Sequence, residues 1–159
     1  MNKKTKWLLS ALTITLVVAG ALLYSSNNTQ KTLAFIEPSS GEQRLQGQKI
    51  YANLCAACHG ASLEGQANWR IRLSNGRLPA PPHDTTGHTW HHPDGMLFDM
   101  VKNGLVPGRT APPRYQSDMP AYKDILSDEE IISVLAYIKS NWPKKVLEIQ
   151  KEITLQQGR

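Results

Sequence analysis

The residues best able to do chemistry in this chain lie in one run, Cys55-Ala56-Ala57-Cys58-His59. Two thiols one helical turn apart can each form a thioether to a haem vinyl group, and the next residue brings an imidazole to the iron as its proximal ligand. One such run implies one covalent haem c. Cys55 and Cys58 are the only cysteines among 159 residues. Other readings of the run account for less of it. A thioredoxin-like redox pair belongs beside a βαβ pattern, and no strand–helix alternation is visible. Zinc needs ligands beyond Cys55 and Cys58. His83, His88, His91 and His92 could supply them, but zinc gives no reason for His59 to follow Cys58 directly. An unprotected dithiol in an exported chain oxidises to a disulfide.

A sixth ligand for the iron is expected from Met119, in Asp118-Met119-Pro120 at the end of a loop that also holds Pro107, Pro112 and Pro113. Proline after Met119 keeps it extended, so its thioether can project from a stiff loop. A long ordered loop of this kind is usually functional. Met96 and Met100 read instead as core side chains on a short helix. Arg70, Arg72 and Arg77 are candidates to pair with haem propionates, because guanidinium matches carboxylate in a bidentate way. Pro79-Ala80-Pro81-Pro82 is neither helix nor central strand. Any residue of it could offer a carbonyl to the free ring nitrogen of His59. His83, His88, His91 and His92 around Trp90 either form a copper or zinc site or pack as a loop with the imidazoles bonded to backbone. The loop reading is the simpler, because no helical spacing or carboxylate fixes these rings.

Helices must hold these groups. One is expected from Ser40, with Gln43 completing a capping box. Gly47, Ile50, Tyr51, Leu54 and Cys58 then share a face that leads into the haem attachment. A second helix starts at Pro93 with Asp94 in its first turn and stops at Asn103-Gly104. A third opens with the capping box Ser127-Asp128-Glu129-Glu130 and ends at Pro143. It places Ile131, Val134, Leu135, Ile138 and Trp142 on one face. Residues 144–159, with Val146, Leu147, Ile149, Ile153 and Leu155 among charges, read as a weak helix or a disordered tail.

The composition is that of a globular protein, with 19% charged and 40% hydrophobic residues. Lys3, Lys4 and Lys6 supply three of the formal charge of +5; residues 27–159 carry 15 basic and 13 acidic side chains. Two propionates would bring that part near neutrality, and no clustered basic face suggests nucleic-acid binding. Trp7–Tyr24 is an uncharged run of 18 residues, about 27 Å as a helix against a bilayer core of ~30 Å. The lysines before it favour a cytoplasmic N-terminus. The run is either a retained anchor or a cleaved signal peptide with Ala19-Gly20-Ala21 as a small-x-small site. The chain thus divides into a membrane or signal segment (1–24), a linker (25–40) with a short apolar piece at Leu33–Ile36, one domain (41–143) and a tail (144–159). The domain is expected on the extracytoplasmic (periplasmic) side of the bacterial membrane.

The pattern resembles a class I c-type cytochrome domain of the bacterial single-haem kind. Gly47 and Tyr51 before Cys55–His59, Met119-Pro120, and Leu135-Ala136-Tyr137-Ile138 in the last helix carry the resemblance, over residues 41–142. It implies an all-α fold whose N- and C-terminal helices cross near Gly47 and Tyr137. One haem edge is left exposed for partners to dock. The long segment between His59 and Met119 departs from the pattern. The expected function is a membrane-tethered electron carrier rather than an enzyme. Cys55 and Cys58 attach the haem, and His59 and Met119 close both axial positions. Redox proteins of the respiratory chain are its partners, met singly or in a larger complex. The alternatives are a haem enzyme or sensor with an open iron site, and a copper- or zinc-handling protein using His88, His91 and His92.

Overall fold

The computed structural model describes residues 35–38 and 41–157. The Trp7–Tyr24 run, most of the linker and the Ser40 cap lie outside the described residues. Among the described residues no helix is long and apolar enough to cross a membrane. The described part is all-α. Its helices are α1 (Gly41–Leu54), α2 (Ala56–His59), α3 (Asp94–Asn103), α4 (Asp128–Ser140) and α5 (Lys144–Gln157), with a 3₁₀ turn at Thr89–His91. No strand occurs among the described residues beyond one isolated bridge between Pro107 and Ala111.

The crossing of α1 on α4 organises the rest. Gly47 is where the two backbones come closest. A Cβ there would collide with the Ser133 carbonyl and lie 2.9 Å from the Tyr137 Cβ, so the crossing requires a residue without a side chain. One turn on, the Tyr51 ring lies 5.4 Å from that of Tyr137. Tyr51 is buried with Leu63, Val134, Ile138 and Trp142. Each such side chain contributes on the order of 1.5–3 kcal/mol through removal from water.

Helix α4 begins as its sequence dictates. The Ser127 hydroxyl accepts from Glu130 N at 3.2 Å, and the Glu130 carboxylate accepts from Ser127 N at 2.9 Å. Three acidic residues lie in its positive first turn. Ile131, Val134, Leu135, Ile138 and Trp142 are all buried. Helix α3 runs from Asp94 to Asn103, with Pro93 as the residue before it, and packs against α4. Its buried apolar residues are Leu97 and Phe98, while Met96 and Met100 are only partly covered.

Residues 144–157 form a full helix that packs on the 3₁₀ turn. A buried polar network lies beneath it. The Lys139 ammonium and Asp94 carboxylate pair at 2.6 Å with neither side chain exposed. Gln150 donates to Asp94 at 2.8 Å, and the backbone N–H of Ile36 donates to the same carboxylate at 2.6 Å. Asp94 N in turn donates to the Thr154 hydroxyl at 3.1 Å. Burial pulls the Lys139 pKa down, and the neighbouring Asp94 opposes that pull. The network joins residues 35–37, the start of α3, α4 and α5.

Candidate haem-attachment site

Helix α1 ends at Leu54 but its hydrogen bonding continues through the cysteine pair. Cys55 N donates to Tyr51 O at 2.9 Å, and the Cys55 carbonyl accepts from both Cys58 N (3.1 Å) and His59 N (2.9 Å). That closes one helical turn, with the two thiols at its start and end and His59 directly after the second. Both cysteines are free, Cys55 half-buried and Cys58 exposed. Burial, and then the neighbouring Cys58, push the Cys55 thiol up to about 11, so it is protonated at neutral pH.

His59 is buried, and its orientation is fixed by backbone. Its Nδ1 lies 2.8 Å from the carbonyl of Pro81. A carbonyl can only accept, so Nδ1 carries the proton and Nε2 holds a free lone pair. Burial lowers the His59 pKa, with the Pro81 bond opposing. Pro81 is held in turn by Gly65, whose φ is +68° and whose missing Cβ would lie 2.7 Å from the Pro81 carbonyl carbon. The Tyr51 hydroxyl fixes the turn after the motif, within 2.8 Å of Gly60 O and 3.2 Å of His59 O.

Of the four histidines expected to form either a metal site or a packed loop, His83 lies behind His59. His83 stacks on it at 4.0 Å, with planes 21° apart. Its Nδ1 donates to the Thr89 hydroxyl at 2.8 Å, while that hydroxyl donates to Pro82 O at 3.4 Å. The Trp142 indole N–H donates to the His83 carbonyl at 2.7 Å, tying this loop to the end of α4. Burial first, and then His59 and His88, hold the His83 pKa well below the usual range for histidine.

The remaining histidines do not converge. His88 stacks on Trp69 at 5.4 Å and meets His92 edge-on at 5.3 Å, whereas His91 lies on Trp90 at 3.7 Å. Among the described residues no three His, Cys, Asp or Glu side chains are placed to hold a metal ion. The three arginines put forward for propionates all have protein partners. Arg70 lies over Trp69 at 3.9 Å, Arg72 donates to Gly76 O at 2.6 Å, and Arg77 pairs with Asp118.

Met119 is half-buried, and its N–H donates to the Ser117 hydroxyl at 3.0 Å. Three residues on, Tyr122 anchors the loop at both ends of its own structure. Its N–H donates to Val101 O on α3 at 3.1 Å, and its hydroxyl to Leu54 O at 2.8 Å. Leu54 directly precedes Cys55, so the methionine loop is bonded to the attachment helix itself. Burial, then Cys55 and Cys58, raise the Tyr122 pKa.

The donor set suits a covalent haem: two free thiols one helical turn apart and an imidazole whose Nε2 lone pair is free. Comparison with known proteins agrees. The cytochrome c family model matches residues 45–142. The chain is similar to the cytochrome c subunit of gluconate 2-dehydrogenase from Pantoea cypripedii, at 26% identity over 125 residues. The match covers 73% of this chain and 26% of that protein, so the chain spans about a quarter of its relative's length. No solved structure matches. With the family's model spanning α1 through the end of α4, the chain belongs to the cytochrome c family, and its cofactor is covalently bound haem c.

Proposed function

We propose that this protein is a single-haem electron carrier in which Cys55 and Cys58 bind the macrocycle and His59 Nε2 and the Met119 thioether occupy the two axial positions. The observation that carries this reading is the His59–Pro81 hydrogen bond of 2.8 Å. It leaves the lone pair of the other ring nitrogen free to ligate, as second-shell acceptors do for metal-bound histidines. When bound, the haem supplies a one-electron ferric–ferrous couple. The chain's own residues hold and shield it. Pro81 and the stacked His83 fix the proximal ring. Tyr122 ties the Met119 loop to Leu54, and Tyr51 closes the turn after the motif. Two strong-field ligands leave no iron position for substrate, and a thioether ligand raises the potential. The anchor reading of Trp7–Tyr24 would tether the domain to the extracytoplasmic face of the membrane, within reach of respiratory redox proteins.

A second reading of its place is as the cytochrome subunit of a dehydrogenase complex. The name of the Pantoea cypripedii relative supports it. Purification from native membranes separates the two: a stoichiometric dehydrogenase travels with a subunit and not with a free carrier. Carbon monoxide tests the closed iron. The reduced haem-loaded protein is expected not to bind it, whereas Met119→Ala is expected to do so. Stoichiometric binding to the wild-type protein would instead support the open-site enzyme or sensor.

A further inference from the structure

The segment between Gln66 and Ala80, where the chain departs from the resemblance, forms a closed loop. Gln66 N donates to Ala80 O at 2.9 Å, and Ala80 N donates to the Gln66 side chain at 2.8 Å. Its tip is a tight turn: Leu73 N donates to Arg77 O and Gly76 N to Leu73 O, both at 2.9 Å. The base runs directly into Pro79-Ala80-Pro81-Pro82, the stiff stretch that orients His59. The tip reaches the loop before Met119. Arg72 lies 5.9 Å over the Tyr115 ring. Arg72 and Asn75 also face Pro113, Arg114 and Tyr115 across a cavity of 390 Å³. Arg77 forms an ion pair with Asp118, the residue next to Met119.

We propose that Arg77 is a positioning residue for Met119: through Asp118 it ties the methionine loop to the segment that orients His59, so that one loop braces both sides of the iron. The inference rests on the His59/Met119 ligation proposed above. The pair is exposed, at 37% for Arg77 and 60% for Asp118, so it adds little to global stability. Opening of a single loop, however, is a much smaller equilibrium than unfolding. The same small contribution is therefore a minor fraction of the global stability and a large fraction of the free energy of methionine release. The backbone hydrogen bonds of the tip turn fix the main chain that carries Arg77.

The test uses the haem-loaded full chain in its oxidised form. Imidazole competes with the methionine for the iron, and the weak long-wavelength methionine–iron band follows the exchange. Arg77→Gln and Asp118→Asn are each expected to raise the apparent affinity for imidazole about threefold, the size of a modest surface ion pair. The double variant should gain no more than either single one. The exchanged pair, Arg77→Asp with Asp118→Arg, should recover the wild-type affinity. High salt should weaken the wild-type protein toward the variants and leave Arg77→Gln unchanged. The unfolding equilibrium read from urea titration should shift by no more than about the same threefold factor. Wild-type affinity in both single variants overturns the proposal. So does a gain in affinity accompanied by a much larger shift of the unfolding equilibrium, because that marks a merely structural role. A wild-type protein lacking the band overturns the ligation reading, and this inference with it.

Discussion

At His59 one nitrogen is committed to Pro81 O and the other is free, so the tautomer is decided by a backbone carbonyl rather than by solvent. The stacked His83 extends that control. Its pKa is depressed chiefly by burial, with His59 and His88 adding to the effect. The folded state therefore keeps it neutral while the unfolded chain takes up a proton below about pH 6.5. The unfolded state binds more protons in that window, and stability must fall as pH drops through it. His83→Gln is expected to reduce the difference in urea midpoint between pH 8 and pH 5, and an undiminished difference would place the linked proton elsewhere. At this scale the motif residues were legible, because Cys55, Cys58 and His59 are adjacent in sequence. The acceptor for His59 was narrowed to a proline-rich stretch and no further. Choosing Pro81 depends on the close approach of Gly65, which is a contact between segments. The protein partners of Arg70, Arg72 and Arg77 were hidden for a related reason: Trp69, Gly76 and Asp118 meet them only once the loops are folded.

Helix α1 crosses α4 at Gly47, and that contact sets where the attachment turn lies relative to the core. Gly47→Ala puts a methyl group into the Ser133 carbonyl, which is backbone and cannot rotate away. Overpacking of this kind is expected to cost at least about 2 kcal/mol, seen as a lower urea midpoint with the haem still attached. A midpoint unchanged by the substitution would show that the crossing has slack. Helix α4 was readable almost residue by residue, since its capping box and its apolar face at 131, 134, 135, 138 and 142 all agree. Helix α5 was not. Its apolar residues suggested either a weak helix or a tail, yet Ile149 and Leu155 are exposed while Gln150 and Thr154 are buried. Val146 and Leu147 do pack on the core, but the fully buried positions of the helix are polar, so its hydrophobic periodicity is weak.

For the domain as a whole, the buried Asp94–Lys139 pair is the point where residues 35–37, α3, α4 and α5 meet. Lys139→Met would leave the Asp94 carboxylate buried without its cation, and is expected to cost about 3–5 kcal/mol, read as a loss of urea midpoint. A loss of under 1 kcal/mol would mean that the backbone N–H of Ile36 and the Gln150 amide suffice to hold that charge. Nothing in the sequence joins residues 94 and 139, and a lysine in an apolar helix face reads at first as an interruption. The proposed function rests on iron ligation by His59 and Met119. The most direct test is the absorption spectrum of the haem-loaded protein, oxidised and then reduced, including the weak long-wavelength band of methionine–iron ligation. Ligation by His59 and Met119 requires covalent haem with that band present in the oxidised protein and absent in Met119→Ala. Covalent haem without the band in the wild-type protein would contradict it.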